Sequence, residues 1–526
     1  MKFRHIITAI ALAFSATTHL YAQDSTYSIS TPIEIPKEGW NKVVQLRNGN
    51  TVLLHFENKK GIVVKVFDKD RKEIASKKHL CNVIDINGLD ATFFHGLHDI
   101  NGEATLFLTQ DIDNAQTLVR LRIDGNSGAL LAEDKIVKSP SFQRRTTAYL
   151  MKKPIGEGYA VFCYTTHPTD TATAVKLIKY NDKHEVVKEI PYEVPSKAYD
   201  NIDLLDASMD EEGDILISMQ LSKIINYPDV MERTLALLYM PEGEDRFMFR
   251  KMKLPSSLEL KDATFSINPF AGNINMLITK SWETTVQNGL NRDNVELLSR
   301  SMFIMPKDIS GIKETRIAYE KPTQLLREAM KDTTVNFYGS MIDANTDGRG
   351  VTTVVYEQRY LPYRPKGNEV VPYYTGNVCV VQYDDNGAEM WATVLPKEHY
   401  YVVRETFPSV FKRTSQLETY KTLYLCGKKS HYILFNDVEE NCNKRLGEEI
   451  KKVYNYQNTN AMYYHMNKRN VVVQKYLLGA PVPGEFKYIY PGSADFDKQN
   501  NSVALLMCHK KEAGESFHIA WKKLEN

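Results

Sequence analysis

The chain has 526 residues, of which 43% are hydrophobic and 25% are charged, so a disordered chain is excluded and a large core is expected. Its 66 basic and 65 acidic residues leave a net charge of +1, with no long block of like charge. This balance argues against a nucleic acid or an anionic membrane as the main partner.

The first 22 residues have the pattern of a secretory signal peptide. Lys2 and Arg4 precede an apolar run over 6–14, and Ala22 is the expected cleavage position. No later segment is apolar over the roughly 20 residues that a membrane helix needs. We therefore expect an exported protein, periplasmic, on the outer surface or secreted, without a transmembrane segment.

Residues 91–137 contain four short apolar segments separated by turn residues, a pattern typical of one propeller blade. The turns include Asn101-Gly102 and the polar stretch 124–128. The predicted strands cover 92–98, 104–109, 118–123 and 129–137.

The second strand of this unit recurs along the chain, each time after a turn rich in Gly or Asn. Eight copies occur, at 47–57, 101–110, 156–166, 211–220, 271–280, 347–357, 428–437 and 498–508. Many strands are apolar on both faces, as expected of a sheet that lies between two other sheets. The sequence predicts an all-β fold, one propeller of eight four-stranded antiparallel blades, with seven as the alternative because the last two copies are weaker.

The two ends of the chain complement each other. The last unit offers only three strands, around 488–496, 502–509 and 517–524, while 27–35 is a strand-like segment without a unit. Pairing of this segment with the last unit would close the ring and remove its exposed edges. We predict a single domain over 23–526 that is closed by an N-terminal strand.

Five long insertions fall in connections that lie on one face of a propeller. They cover 281–299, 321–334, 357–376, 396–420 and 437–469. Within them, the apolar spacing predicts helices over 323–330 and 444–453. Long connections on a rigid scaffold commonly carry the function, so this face is the predicted site.

The insertions are rich in tyrosine, which offers a large contact area and a hydroxyl group. The predicted ligand-binding residues are Tyr360, Tyr363, Arg364, Tyr373, Tyr374, Asn436, Asp437 and Tyr456. The predicted function is a non-catalytic scaffold for a protein, peptide or glycan ligand, acting as a monomer. The alternative is that these rings only pack the insertions onto the blades, as in a structural component of the cell envelope.

An enzyme is the other class that stays open. A carbohydrate-active hydrolase or lyase would use carboxylates near the central channel, and Glu357, Asp437 and Glu439 are the first to consider. Residues 343–348 match the first half of a calcium loop but lack its second half, so a polar hairpin is the expected structure. We predict no metal site, no cofactor and no catalytic motif. Cys426 and Cys442 are the one pair of cysteines close enough in sequence to consider as a disulfide.

The stretches VCVVQYDDNGAEMWATVLPKEHY (378–400) and HYILFNDVEEN (431–441) resemble uncharacterised exported propeller-like proteins of Bacteroidota. The resemblance implies export and a propeller architecture, and it carries no established activity. Asn436, Asp437 and Asn441 form a pattern within it that is either a turn signature or part of a site.

Overall fold

In the computed structural model, eight antiparallel sheets form the blades of a ring, which is a β-propeller. The structure describes residues 27–34, 40–57, 61–84, 92–113, 115–138, 146–153, 156, 158–167, 175–192, 199–226, 230–254, 259–267, 273–288, 291–317, 320–347, 349–360, 370–404, 419–427, 430–467 and 469–525. The predicted all-β class and the predicted eight blades are therefore confirmed.

The strands follow the chain around the ring. Strand β1 covers Tyr27–Ile29, and blade 1 contains β2 (Trp40–Gln45), β3 (Thr51–Glu57), β4 (Gly61–Phe67) and β5 (Glu73–His79). Blade 2 contains β6 (Phe93–Ile100), β7 (Glu103–Ile112), β8 (Ala115–Asp124) and β9 (Leu130–Lys138). Blade 3 contains β10 (Thr146–Lys152), β11 (Tyr159–Thr165), β12 (Val175–Tyr180) and β13 (Val186–Tyr192). Blade 4 contains β14 (Asn201–Met209), β15 (Ile215–Asn226), β16 (Val230–Met240) and β17 (Met248–Leu254).

The second half of the ring carries the additional elements. Blade 5 contains β18 (Glu259–Ile267), β19 (Asn273–Asn288), β20 (Asn291–Pro306) and β21 (Lys313–Ile317), and helix α1 (Glu320–Met330) follows it. Blade 6 contains β22 (Ser340–Thr346), β23 (Thr352–Tyr360), β24 (Val370–Tyr383) and β25 (Glu389–Leu395), with β26 (His399–Arg404) paired to the start of β24. Blade 7 contains β27 (Leu423–Cys426), β28 (His431–Asp437), β29 (Asn460–Met466) and β30 (Val472–Tyr476). Blade 8 contains β31 (Phe486–Ile489), β32 (Asp495–Asp497), β33 (Ser502–Lys511) and β34 (Gly514–Lys523).

The core lies between neighbouring blades, because the middle strands of each sheet are buried on both faces. All seven residues of β11 are buried, whereas β5 at the outer edge of blade 1 is largely exposed. Leu54 of blade 1 and Leu106 of blade 2 belong to one apolar cluster, and Phe162 and Met219 join blades 3 and 4 in the same way. The first strands of adjacent blades contact each other, so they surround the central channel.

Blade 8 is completed by the N-terminus, as predicted. Strand β1 pairs antiparallel with β34, with Tyr27 opposite Lys522 and Ile29 opposite Ala520. The first strand of this blade is interrupted by a 3-10 turn over Pro491–Ser493, so β31 and β32 both pair with β33. With β31 and β32 sharing the first position, the pairing gives blade 8 four strand positions, as in the other blades.

Connections of two kinds separate the two faces of the disc. Turns between first and second strands and between third and fourth strands lie on what we call the hairpin face. Second-to-third connections and links between blades lie on the opposite insert face. On the insert face, β19 and β20 remain paired as far as Asn288 and Asn291, and β23 and β24 as far as Tyr360 and Tyr374.

The helix predicted over 323–330 is present and begins slightly earlier, at Glu320. Its Leu326 is buried against blade 6, and the Lys321 N–H donates to Glu389 Oε2 at 3.0 Å. An acidic partner at the first turn satisfies an amide that has no partner inside the helix and favours its dipole. This contact fixes the start of α1 against β25, the outer strand of blade 6.

The helix predicted over 444–453 is wrong, since these residues form turns. Gly447 has a φ of +89°, outside helical geometry, and a Cβ there would lie 2.4 Å from the carbonyl oxygen of Ala329. Asn441 also bonds the backbone of Lys451 at both its N–H and its carbonyl, at 2.8 Å each. These tertiary contacts override the local apolar spacing, and they place this insertion against α1.

The remaining sequence predictions concern the N-terminus and the thiols. The predicted signal peptide, residues 1–22, lies outside the described residues. No helix in the described part of the chain has the length and apolar character needed to cross a membrane. Cys426 and Cys442 are both free thiols, so the considered disulfide is not formed.

Candidate functional site

Three chain segments meet on the insert face above blades 6 and 7 and form a small layer, which we call the cap. The cap comprises residues 370–375, 398–404 and 452–454. Strand β26 pairs antiparallel with the start of β24, so that Tyr373 lies opposite Tyr401 and Tyr374 opposite Tyr400. Insertions from two blades therefore join as one surface.

The third segment of the cap comes from the long connection of blade 7. His399 and Val453 form a parallel bridge, with 2.9 Å hydrogen bonds from Tyr400 N to Val453 O and from Val453 N to Glu398 O. Because side chains alternate between the two sides of an extended strand, the cap has an inner and an outer face.

The inner face of the cap is an aromatic layer on the blades. Tyr373 stacks on Tyr401 with ring centroids 5.3 Å apart, and Tyr401 stacks on Tyr420 at 4.4 Å. The buried His399 ring meets Tyr420 and Phe435 edge-on, at 6.0 Å from each. Burial holds the pKa of His399 well below its ordinary value, so this ring is neutral and acts as part of the core.

The aromatic layer continues from the cap towards blade 8. The ring centroids of Tyr420 and Tyr456 are 5.6 Å apart, and those of Tyr456 and Tyr488 are 5.2 Å apart. The centroids of Tyr488 and Tyr490 are 5.9 Å apart. Burial raises the pKa of Tyr420 to about 12. Each such pair contributes roughly 0.5–1.5 kcal/mol beyond its buried area, so the chain of rings joins three blades firmly.

A buried ion pair lies directly before the middle segment of the cap. Lys397 Nζ donates to Glu357 Oε1 at 2.7 Å and to Thr422 Oγ1 at 2.8 Å, and the Thr422 hydroxyl donates to the same carboxylate oxygen at 2.6 Å. Lys397 also donates to the carbonyl oxygen of Tyr420 at 3.2 Å. Buried charges of this kind are tolerated only when they are paired and hydrogen-bonded, so the contact fixes the position at which the cap leaves blade 6.

The pattern Asn436, Asp437 and Asn441 holds the third segment from below. Asn436 exchanges two 2.8 Å bonds with the backbone of Ile489 in blade 8. Asp437 Oδ1 accepts the Asn441 side-chain amide at 2.8 Å, and Asn441 in turn bonds Lys451. Burial raises the pKa of Asp437 to about 7. The side-chain amides of Asn436 and Asn441 bond within the protein through both their oxygen and their nitrogen, whereas Asp437 Oδ2 is buried without a hydrogen-bond partner among the described residues.

The outer face of the cap combines rings with a paired charge. The Tyr374 hydroxyl donates to Glu398 Oε1 at 2.7 Å, and Lys452 Nζ lies 3.0 Å from the same oxygen. Tyr400 meets Tyr454 edge-on with centroids 5.6 Å apart, and Tyr454 is 64% exposed. Lys452 and Tyr454 are exposed on this face, and Tyr374, Glu398 and Tyr400 are half-buried, so the face can donate and accept hydrogen bonds beside its rings.

The predicted ligand-binding residues are distributed over several environments. Tyr374 is on the outer face, Tyr373 is on the inner face, and Tyr456 is half-buried in the aromatic layer. Asn436 and Asp437 are 1% and 0% exposed. Tyr363 and Arg364 lie outside the described residues, and so does the side chain of Tyr360, whose backbone ends β23.

Sequence reasoning missed Lys397 beside the cap and five residues within it, namely Glu398, Tyr400, Tyr401, Lys452 and Tyr454. A usable signal was present in YYVV (400–403), because aromatic and β-branched residues are enriched in strands. Two of the acids first considered for catalysis, Glu357 and Glu439, lie in different environments. Glu357 is buried in the ion pair, and Glu439 is exposed at the start of a 3-10 helix.

A second group of carboxyls lies on the channel strands. The sequences LLDA (204–207), LKDA (260–263) and MIDA (341–344) place an aspartate directly after a bulge in the first strands of blades 4, 5 and 6. In both Asp206 and Asp343, Oδ1 accepts the next residue's N–H at 2.8 Å. Aligning the first strands of the units would have revealed this repeat from sequence.

Asp206 and Asp343 belong to blades that are two apart, and both lie on strands that surround the channel. Burial raises the pKa of each to about 6, and the Asp206 charge adds to the shift at Asp343. Solvent reaches Asp343 although protein surrounds it, as expected of a channel-lining group. Asp206 also accepts the Phe265 N–H of blade 5 at 2.9 Å, so part of its role is to join blades.

Two acidic turns resemble cation sites and are satisfied from within the protein. In the calcium-like stretch, Asp347 Oδ2 pairs with Arg349 at 2.7 Å while its Oδ1 accepts backbone N–H groups of the hairpin. In blade 4, Asp210, Glu212 and Asp214 surround Lys307 Nζ at 2.8, 2.6 and 3.3 Å. The lysine ammonium offsets one of the three negative charges and lies among the carboxylates, where a metal ion would otherwise bind.

No protein-family model matches this sequence, and no curated protein matches it either. Among solved structures, a prolyl endopeptidase is 10% identical with a TM-score of 0.37, and a post-proline cleaving enzyme from Rickettsia typhi is 9% identical with a TM-score of 0.35. The matches cover 95% and 90% of this chain, and 58% of the length of each peptidase. An endo-arabinase from Bacteroides thetaiotaomicron is 10% identical with a TM-score of 0.26, over 51% of this chain and 96% of the arabinase. Similarities this distant carry no argument about activity.

Proposed function

We propose that this protein is an exported, non-catalytic binding scaffold that holds its ligand on the outer face of the cap. The observation that supports the proposal is the two-sided construction of that layer. Tyr373 and Tyr401 pack inward, whereas Tyr374, Tyr400 and Tyr454 lie on the opposite side. A layer needed only for packing would not require tyrosines on its exposed side.

The rigidity of the cap also supports a binding role. Its start is fixed by the buried Lys397–Glu357 pair, and its third segment by Asn441. A surface that is ordered before binding loses less conformational entropy when the ligand arrives, so its contacts translate more fully into affinity.

The experiment is to apply the mature chain, residues 23–526, to an array that carries both peptides and glycans. We expect specific binding that is lost in Tyr400→Ala and Tyr454→Ala. The matched control is Phe93→Ala in blade 2, because Phe93 is 67% exposed and Tyr454 is 64% exposed. An equal loss of binding in Phe93→Ala would contradict a binding site on the cap. Binding that is unchanged in both tyrosine variants would contradict it as well.

A second candidate function rests on Asp206 and Asp343. Two carboxyls whose pKa values lie near 6 could act as acid and base in glycoside hydrolysis. The test is release of reducing sugar from every polysaccharide that the protein binds, comparing the native chain with Asp343→Asn. Turnover that disappears in this variant would favour the hydrolase, and binding without turnover would favour the scaffold.

A further inference from the structure

We infer that the ligand of the cap is a short, uncharged oligosaccharide. The inference rests on the proposed function and specifies the chemistry of the ligand at that same surface. It follows from the kinds of groups on the outer face, their net charge and the size of the layer.

The first argument concerns the rings. Tyr400 and Tyr454 lie together on the outer face, and Tyr374 follows in the neighbouring strand. The faces of aromatic rings carry partial negative charge, so they attract the weakly positive C–H groups on one side of a sugar ring. Tyr400 and Tyr454 meet edge-on, so the neighbouring rings turn their faces in different directions and suit a ligand whose successive units each present C–H groups.

The second argument concerns hydrogen bonding. Glu398 accepts from the Tyr374 hydroxyl and from Lys452, at 2.7 and 3.0 Å, so its orientation is fixed before a ligand arrives. The carboxylate keeps further lone pairs for a ligand O–H, and the ammonium keeps further N–H donors. Hydroxyl groups both donate and accept, so they fit this mixed pair better than a group that only donates or only accepts.

The third argument concerns charge. Glu398 and Lys452 neutralise each other, and the ion pair raises the pKa of Lys452. Among the cap residues whose side chains the structure describes, 373–375, 398–402 and 452–454, no other side chain is charged, while the side chain of Arg404 at the end of β26 lies outside the described residues. The described part of the surface has no net charge, so it offers little attraction to a polyanion or a strongly charged peptide.

The fourth argument concerns size. Three segments about 4.8 Å apart, each exposing two or three side chains over about 3.3 Å per residue, give an area about 10 Å across. A stable protein interface needs roughly 20–30 residues on each side. Among the outer residues whose side chains the structure describes, Val402, at 45% exposure, is the one large exposed aliphatic side chain. The area and composition fit a few sugar rings better than a protein surface.

The test measures binding of cellohexaose, xylohexaose, maltohexaose and mannohexaose to the mature chain by calorimetry, with polygalacturonate, heparin and a peptide library as the other arms. We expect at least one neutral hexasaccharide to bind. Loss of one stacking ring in Tyr454→Ala should weaken that binding about fivefold to tenfold. Screening should matter little, so raising NaCl from 50 to 500 mM should change the affinity by less than about twofold.

Two variants guard against a folding artefact. Tyr374→Phe removes only the hydroxyl that orients Glu398, and we expect a smaller loss of affinity with an unchanged unfolding midpoint. Phe93→Ala should leave the binding of the hexasaccharide unchanged.

The outcomes separate the inference from the function on which it rests. Binding of peptides or of a polyanion that depends on Tyr400 and Tyr454, with no neutral hexasaccharide bound, would overturn the glycan inference and keep the binding surface. Binding of a probe that is unchanged in Tyr400→Ala and Tyr454→Ala would overturn the glycan inference and also the proposed binding surface. Neutral-sugar binding that is lost in Tyr454→Ala and kept in Phe93→Ala would support both.

Discussion

The two faces of the disc differ in how the connections between their strands are stabilised. On the hairpin face, every blade has a turn in which an Asp or Asn side chain accepts a backbone N–H two to four residues further on. These side chains are Asp68, Asp124, Asn181, Asp210, Asp308, Asp347, Asp384, Asn467 and Asp497. On the insert face, local hairpins such as β19–β20 also occur, but the connections that form the cap are held by contacts between segments far apart in sequence.

The difference determines which face can acquire a site. A turn that satisfies its own backbone is short and local, so it presents little surface and needs no neighbour. The cap instead brings together Tyr374, Tyr400 and Tyr454, which come from three separate segments. Tertiary contacts between these segments therefore assemble the cap, and their loss should change the insert face more than the hairpin face.

The largest effect is expected from Glu357→Ala, which leaves the Lys397 charge buried without its carboxylate. We expect the free energy of unfolding to fall by about 3–5 kcal/mol. Urea unfolding at pH 7 measures the change. Replacing both residues in Glu357→Gln/Lys397→Met should restore part of the loss, because no buried charge then remains, and a double variant as unstable as the single one would contradict this account.

The next effect is a pH dependence that originates at Asp437. Burial raises its pKa to about 7 in the folded protein, against about 3.9 in an unfolded chain. The folded state holds the proton more tightly, so this stabilising contribution is full below about pH 4 and is lost as the pH rises to 7, by up to about 4 kcal/mol. Asp437→Asn should flatten the dependence of the unfolding free energy on pH. Identical curves for the native chain and this variant from pH 4 to 8 would show that Asp437 is not the origin of the pH dependence.

Asn441→Ala should have an intermediate effect confined to the insert face. The change removes the partners of Lys451 N–H and carbonyl and of Asp437, for a loss of about 1–3 kcal/mol. Hydrogen exchange should accelerate in residues 438–459 and remain unchanged in hairpins such as 384–388. Faster exchange on both faces alike would contradict an effect of Asn441 that is confined to the insert face.

The smallest effect is expected from the hairpin face. Asp384 Oδ1 accepts the N–H groups of Asn386 and Ala388 at 2.9 and 2.8 Å in an exposed turn. Asp384→Ala should reduce stability by about 1 kcal/mol and leave ligand binding on the cap unaltered. A loss of binding in this variant would show that the two faces are coupled.

The ring could be predicted from sequence because its determinants are local. Each blade repeats a polar turn and a strand apolar on both faces, and the unmatched segment near Tyr27 completes the last unit. The helix near 323–330 was also predictable from spacing. The second helix was not, because Gly447 meets Ala329 from a different insertion.

The candidate site was predictable only as a region. Tyrosine-rich insertions pointed to the insert face, where the cap lies, but which tyrosine points outward depends on the pairing of residues 373–374 with 400–401 and of 399 with 453. A shift of one residue would exchange Tyr373 with Tyr374. Such a pairing across separate insertions leaves no trace in local composition.

The closure of blade 8 by β1 has a mechanical consequence. Tyr27 lies opposite Lys522, so the two free ends of the chain leave the β1–β34 pair at the same end. Tension between the termini would therefore separate the two strands one hydrogen-bond pair after another, as in a zipper, and would not load all the bonds together. The ring should open at low force at this one seam, while a pull applied across any other blade must shear several strands at once.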